Sequence, residues 1–158
     1  NWEVFCRGSN YKMSEITAAL GLLQTKNASK IFTERQAIAK YYDDNIEWQN
    51  GVSRFKMPNG VKSSYYKYII NVDESWKKTK IKERLLEDFG IALPPTVYDY
   101  NCNKQSFSAH ASVLNNEDKF PVSEYMSDHH ICLNMYNGLT KEEVKYLVNC
   151  FNIVMKAI

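Results

Sequence analysis

The run from Ser64 to Asp73 constrains the fold of this chain more than any other stretch. Tyr66, Tyr68, Ile70 and Val72 alternate with Tyr65, Lys67, Ile69 and Asn71, and most of these side chains are aromatic or β-branched. Side chains of an extended backbone point alternately to opposite faces, so this two-residue period predicts a strand with one face in a core. Shorter strands are expected at Val52–Met57, ended by Pro58-Asn59-Gly60, at Ile91–Leu93, ended by Pro94-Pro95, and at His130–Met135. Thr96–Tyr100 continues the second of these beyond the prolines.

The remaining pattern is helical. Thr140-Lys141-Glu142-Glu143 reads as a capping box, with Thr140 as the cap and Glu143 reaching back. The helix it opens carries Val144, Leu147, Val148, Phe151, Val154 and Met155 at helical spacing. Two helices are expected at the beginning of the chain. Ser14 caps the first, whose Ile16, Ala19, Leu20 and Leu23 share a face. Asn27-Ala28-Ser29 interrupts the pattern, and Ser29 caps the second. That helix turns Ile31, Ile38, Tyr42 and Ile46 inward, turns Lys30, Glu34, Arg35, Lys40 and Asp43 outward, and stops at Asn50-Gly51. Thr79–Phe89 is a further helix, burying Ile81, Leu85, Leu86 and Phe89 and stopped by Gly90; Pro121 opens a short helix through Asp128. Strands of this length mixed with helices argue an α+β class: a small, mostly antiparallel sheet covered by helices and preceded by two helices.

With 158 residues the chain fits one domain with a core of its own. Twenty basic and 18 acidic residues leave a net charge of only +2. The densest basic stretch, Lys77-Lys78-Thr79-Lys80-Ile81-Lys82, reads as a solvated lead into a helix, so a nucleic-acid partner is not expected. No apolar run approaches the roughly 20 residues of a membrane span. Cys6, Cys102, Cys132 and Cys150 show no zinc-type spacing and read as free thiols of a cytoplasmic protein. His129-His130 has no partner at metal-ligand spacing and reads as structural; His110 reads as an exposed loop residue. Asn101–Lys119 is polar and aperiodic, and a loop of that length in a compact domain is more often functional than not. Composition and periodicity alone reach a fold class and a candidate loop, but no reaction.

Four blocks carry a resemblance further. Gly8-Ser9-Asn10-Tyr11-Lys12-Met13-Ser14-Glu15 resembles a signature of the sugar aminotransferases of the DegT/DnrJ/EryC1/StrS family. Ser63–Tyr68 resembles the strand that opens their small domain. Val97-Tyr98-Asp99-Tyr100-Asn101-Cys102-Asn103-Lys104-Gln105-Ser106-Phe107 is similar to a loop of theirs. Phe120–Glu124, followed by His130–Tyr136, resembles a further pair of segments in the family's order. The resemblance implies a homodimeric fold-type I enzyme that uses pyridoxal 5'-phosphate. Its substrate would be a nucleotide-linked keto-sugar, with an amino donor such as glutamate. The cofactor acts as electron sink, and the protein orients it.

In that family the Schiff-base lysine lies before the Gly-x-Asn-Tyr block. Residues 1–158 are therefore expected to form a single C-terminal domain, inactive alone, with the large catalytic domain absent from this chain and no catalytic residue within it. By the same resemblance Gly8 and Asn10 are the cofactor-binding residues, Asn10 reaching the phosphate of the partner subunit's cofactor. An amide suits this role because it donates to phosphate without adding charge. Lys12 stands where the family has an arginine near the anionic substrate; it keeps the charge and loses the bidentate fork. Tyr98 and Gln105 are the other substrate-binding candidates, although Tyr98 is equally well a buried strand tyrosine. Asn103 replaces a common histidine and so removes a group that titrates near neutrality. These departures leave a second class open: a non-catalytic binding or assembly module that keeps the fold without the chemistry.

Overall fold

The computed structural model of the chain describes residues 12–96, 101 and 120–158. Its elements run α1 (Glu15–Asn45), β1 (Val52–Arg54), β2 (Tyr68–Val72), α2 (Lys78–Phe89), α3 (Pro121–Asp128), β3 (His130–Leu133) and α4 (Lys141–Ala157). The strands form one antiparallel sheet in the order β1-β2-β3, so the expected α+β architecture is the one observed. Central β2 sets the register: Ile70 lies opposite both Arg54 and Ile131, and Tyr68 opposite Leu133.

The core follows the predicted period. Tyr68, Ile70 and Val72 are buried, whereas Ile69 and Asn71 are partly exposed on the other face. The buried residues meet Ile38, Ala39 and Tyr42 of α1, Ile81 and Leu85 of α2, and the inward face of α4 in a single cluster. Each α4 residue expected inward is buried, and both hydrogen bonds of the Thr140–Glu143 capping box form. Asn152 of α4 also closes the end of α1. Its amide donates to the Asn45 carbonyl at 3.0 Å and its oxygen accepts from the Glu47 backbone at 3.0 Å. A carbonyl that the helix end would leave without a partner, and the N–H of Glu47 just beyond it, are thereby satisfied.

Several boundaries differ from expectation. The two expected N-terminal helices are one continuous helix, α1. Ser29 sits inside it, its carbonyl accepting from Thr33 Oγ1 as well as from the helix. Asn27 and Ser29 lower helix propensity by only a few tenths of a kcal/mol each, and neither Gly nor Pro breaks the run there. The face of Ile16, Leu20 and Leu23 is not in this core: those side chains are 77%, 60% and 57% exposed.

The strand expected from Ser64 begins only at Tyr68, because Tyr65 adopts a left-handed backbone with φ of 46°, which no extended strand accommodates. Strands expected to run to Met57 and Met135 end at Arg54 and Leu133. Ile91–Leu93 forms no strand; Asn134 Nδ2 donates to the Ala92 carbonyl, and Lys67 Nζ to that of Pro95. Leu86 is exposed rather than buried, since it lies about 100° around α2 from Leu85.

Candidate functional site

Of the residues expected to serve the site, Lys12 is the one the structure describes; Gly8, Asn10, Tyr98 and Gln105 lie outside the described residues, as do Asn103 and His110. Lys12 is exposed and stands two positions before Ser14. The Ser14 hydroxyl accepts from the Thr17 backbone at 3.2 Å, which fixes where α1 begins. Lys12 thus precedes the positive end of α1, whose first turn carries Glu15 as its acid. A cation beside a helix N-terminus is unfavourable by itself and favourable when an anion occupies the same place.

The segments flanking residues 97–100 are held by side chains. Lys67 Nζ donates to the Pro95 carbonyl at 2.8 Å, and Thr96 is buried. On the other flank Ser123 and Asn101 meet at 3.4 Å. Asn134, after β3, donates from its side-chain amide to the Ala92 carbonyl, and its backbone carbonyl accepts from the Tyr42 hydroxyl at 2.7 Å. Burial pushes the Tyr42 hydroxyl well above its ordinary value. On the sheet face opposite the core, Phe55, Ile69, Met126 and His130 line a shallow cleft of about 260 Å³. His130 there bonds through Nδ1 to the Met126 carbonyl, and His129 stacks on Tyr125 at 4.1 Å, in keeping with structural roles for both.

A polar cluster among the described residues centres on Asp43, which sequence patterning turned outward. Its side chain is only 22% exposed. Arg54 of β1 pairs with it at 2.5 Å, and the Tyr68 hydroxyl of β2 donates to it at 2.5 Å. Burial raises the Tyr68 hydroxyl far above its ordinary value, and the bond to Asp43 adds to this. Tyr65 stacks on Tyr68 at 6.3 Å, and Tyr42 meets it edge-on at 4.9 Å. No local signal marks this cluster, because its members come from three elements that only the sheet register brings together.

Among the described residues no lysine is buried, so none has a desolvated setting in which to hold a carbonyl group. Their buried side-chain atoms without a partner are the amide oxygens of Asn71 and Asn134, which accept and so have nothing to offer a phosphate.

The model of the DegT/DnrJ/EryC1/StrS aminotransferase family matches residues 1–152. A dTDP-4-amino-4,6-dideoxy-D-glucose transaminase of Escherichia coli is 27% identical over 138 residues, covering 87% of this chain and 37% of that protein. Among solved structures, the Helicobacter pylori aminotransferase PseC, involved in pseudoaminic acid biosynthesis, superposes with a TM-score of 0.81 at 23% identity. It covers 99% of this chain and 41% of its own. The aminotransferase TlmJ of Streptoalloteichus hindustanus gives 0.76 at 22% identity, covering 98% and 40%. At these identities the structural likeness establishes the fold. The chain spans about two fifths of the length of these relatives.

Proposed function

Since the chain belongs to the DegT/DnrJ/EryC1/StrS aminotransferase family, we propose that it is the C-terminal domain of a pyridoxal-phosphate-dependent enzyme that transfers an amino group to a nucleotide-linked keto-sugar. The family match carries this proposal, and one structural observation supports it. The first half of α1 is apolar yet unpacked: between Ile16 and Thr25 it has no charged residue, and Leu20, Leu22 and Leu23 are each more than half exposed. A helix that is apolar on several sides belongs inside a larger body. In this proposal that body is the cofactor-binding domain.

When bound, pyridoxal phosphate would supply the electron sink for amino transfer. This chain would supply contacts. Asn10 donates to the phosphate of the partner subunit's cofactor, and Gly8 lets the backbone approach closely. Lys12 faces an anionic group of the substrate, and Tyr98 and Gln105 contact the sugar. The amino donor is an acidic amino acid such as glutamate, and the enzyme works as a homodimer in the cytoplasm. The test is a single-turnover reaction of the full-length polypeptide with glutamate, followed by the cofactor's visible absorption. Conversion of the cofactor to its amine form, and its reversal by a nucleotide-linked keto-sugar, is the expected result. A folded dimer that shows neither half-reaction would leave the non-catalytic assembly module as the function.

A further inference from the structure

Three Asn-Gly pairs stand in the chain, at 50–51, 59–60 and 137–138. The pair is chemically reactive. A glycine nitrogen, with no Cβ beside it to shield it, can attack the side-chain carbonyl carbon of the preceding asparagine. The asparagine side chain and the peptide that follows it must rotate toward each other. The glycine nitrogen must also give up its proton, so hydroxide promotes the attack. The three pairs share this sequence and differ in what holds them.

Asn50 and Asn59 sit in turns of one form. The Val52 N–H donates to the Gln49 carbonyl and the Val61 N–H to the Pro58 carbonyl, each at 3.1 Å. The glycine that stands third in each turn has φ of 77° or 80°. Around Asn50 the backbone is pinned. Its carbonyl accepts from Trp76 Nε1 at 2.9 Å, and the Gly51 carbonyl accepts from the Asp73 backbone at 2.8 Å. The Asp73 carboxylate packs against Gly51 and disfavours an anionic nitrogen beside it. Asn137 is pinned by its side chain. Its Nδ2 donates to the Ile31 carbonyl at 3.3 Å and to Glu34 Oε2 at 3.1 Å, while its Oδ1 accepts from Arg35 Nε at 3.2 Å. Asn59 has no such restraint. Asn59 and Gly60 are exposed, and a Cβ on Gly60 would meet nothing within 4 Å. Among the described residues the Asn59 side chain makes no hydrogen bond.

We propose that Asn59 deamidates spontaneously in the folded protein, while Asn50 and Asn137 are held against the same reaction. The Gly60 nitrogen forms a bond to Asn59 Cγ and its proton passes to hydroxide. The bond from Cγ to Nδ2 breaks, and Nδ2 leaves as ammonia after taking a proton from water. Water then opens the cyclic imide at either carbonyl, giving aspartate or isoaspartate. Each event replaces a neutral amide by a carboxylate. Isoaspartate also lengthens the backbone by a methylene, which an unpacked turn accommodates. At Asn137 the same change would set a carboxylate against Glu34 and break the tie between α1 and the turn before α4. The reaction needs no cofactor or substrate, so it is independent of amino transfer.

The experiment ages the full-length polypeptide in mildly alkaline buffer, folded and in urea. Samples are digested at acid pH, where the reaction is slow, and the three asparagine peptides are mapped by mass. Aspartate and isoaspartate are separated by elution. In the folded protein Asn59 should lose its amide about tenfold or more faster than Asn137, whose rotation breaks hydrogen bonds to two charged groups. Asn50 should also lag behind Asn59. In urea the three rates should converge, and Asn59 should yield both aspartate and isoaspartate in either state. Glu34→Ala combined with Arg35→Ala should speed Asn137 and leave Asn59 as it was, with the melting temperature showing that the fold is retained. Asn59 reacting no faster than Asn137 or Asn50 in the folded protein overturns the proposal. So does aspartate without isoaspartate at Asn59, or an Asn137 rate unmoved in the double variant.

Discussion

The Tyr68 hydroxyl donates to Asp43 Oδ1 at 2.5 Å, tying the first residue of β2 to the last turns of α1. Tyr68 is 3% exposed, so this bond to a charged acceptor is largely shielded from water. Tyr68→Phe keeps the ring contacts with Tyr42 and Tyr65 and removes only the hydroxyl. The expected loss is about 1.5–3 kcal/mol, because the acceptor is ionised. Urea denaturation at neutral pH measures it, and an unchanged midpoint would mean that the bond is as well made to water.

The same hydroxyl gives a pH dependence whose sign is fixed. The folded protein raises Tyr68, and likewise Tyr42, above the ordinary 10.0, chiefly through burial. A raised pKa means that the folded state favours the protonated form. Its stabilising contribution is fully present below about pH 10 and declines as pH rises further, where the unfolded chain ionises first. Urea midpoints should therefore hold from pH 8 to 9.5 and fall above pH 10, less steeply in Tyr68→Phe.

Two glycines separate backbone strain from steric conflict. Gly51 and Gly90 have φ of 77° and 68°. A Cβ at Gly90 would meet nothing within 4 Å, whereas one at Gly51 would come within 2.2 Å of Asp73 Oδ2. The Asp73 carboxylate is in turn held by the backbone and hydroxyl of Ser75. Gly90→Ala should cost about 1 kcal/mol for the left-handed backbone alone. Gly51→Ala should cost more, and in an Asp73→Ala background the added cost of Gly51→Ala should fall to that of Gly90→Ala. Thermal melts of these variants check the order.

These glycines, like the Thr140 cap, were legible in the sequence because each acts within a few residues of itself. The inward face of β2 was legible for a similar reason: Tyr68, Ile70 and Val72 keep their period whatever they pair with. The left-handed Tyr65 left no trace, since nothing about an aromatic residue in an alternating run foretells a turn. Nor did the burial of Asp43, which depends on Arg54 arriving through the β1–β2 register. The continuity of α1 was hidden by two weak helix formers read as a boundary. At the candidate site, Lys12 was found by motif and is described, while Gly8, Asn10, Tyr98 and Gln105 lie outside the described residues.

The exposure of the described lysines bears on cofactor chemistry. With none of them buried, none has the desolvated setting that activates a lysine toward a carbonyl group. This chain, mixed with pyridoxal phosphate and reduced with borohydride, should show scattered partial labelling at surface lysines. Stoichiometric labelling at one described lysine, mapped by peptide mass, would place a cofactor site within this chain alone.

In the proposed enzyme Asn10 lends an amide to a cofactor phosphate held by the partner subunit. The most direct measurement is a pyridoxal phosphate titration of the full-length polypeptide and its Asn10→Ala and Asn10→Asp variants, with Lys12→Ala alongside. Losing one hydrogen bond to a charged acceptor is a change of about 1.5–3 kcal/mol, so Asn10→Ala should weaken cofactor binding roughly ten- to a hundredfold. Asn10→Asp should weaken it further by setting a carboxylate against phosphate, and Lys12→Ala should affect substrate more than cofactor. Cofactor affinity unchanged in both Asn10 variants would contradict this and remove the role proposed for Asn10.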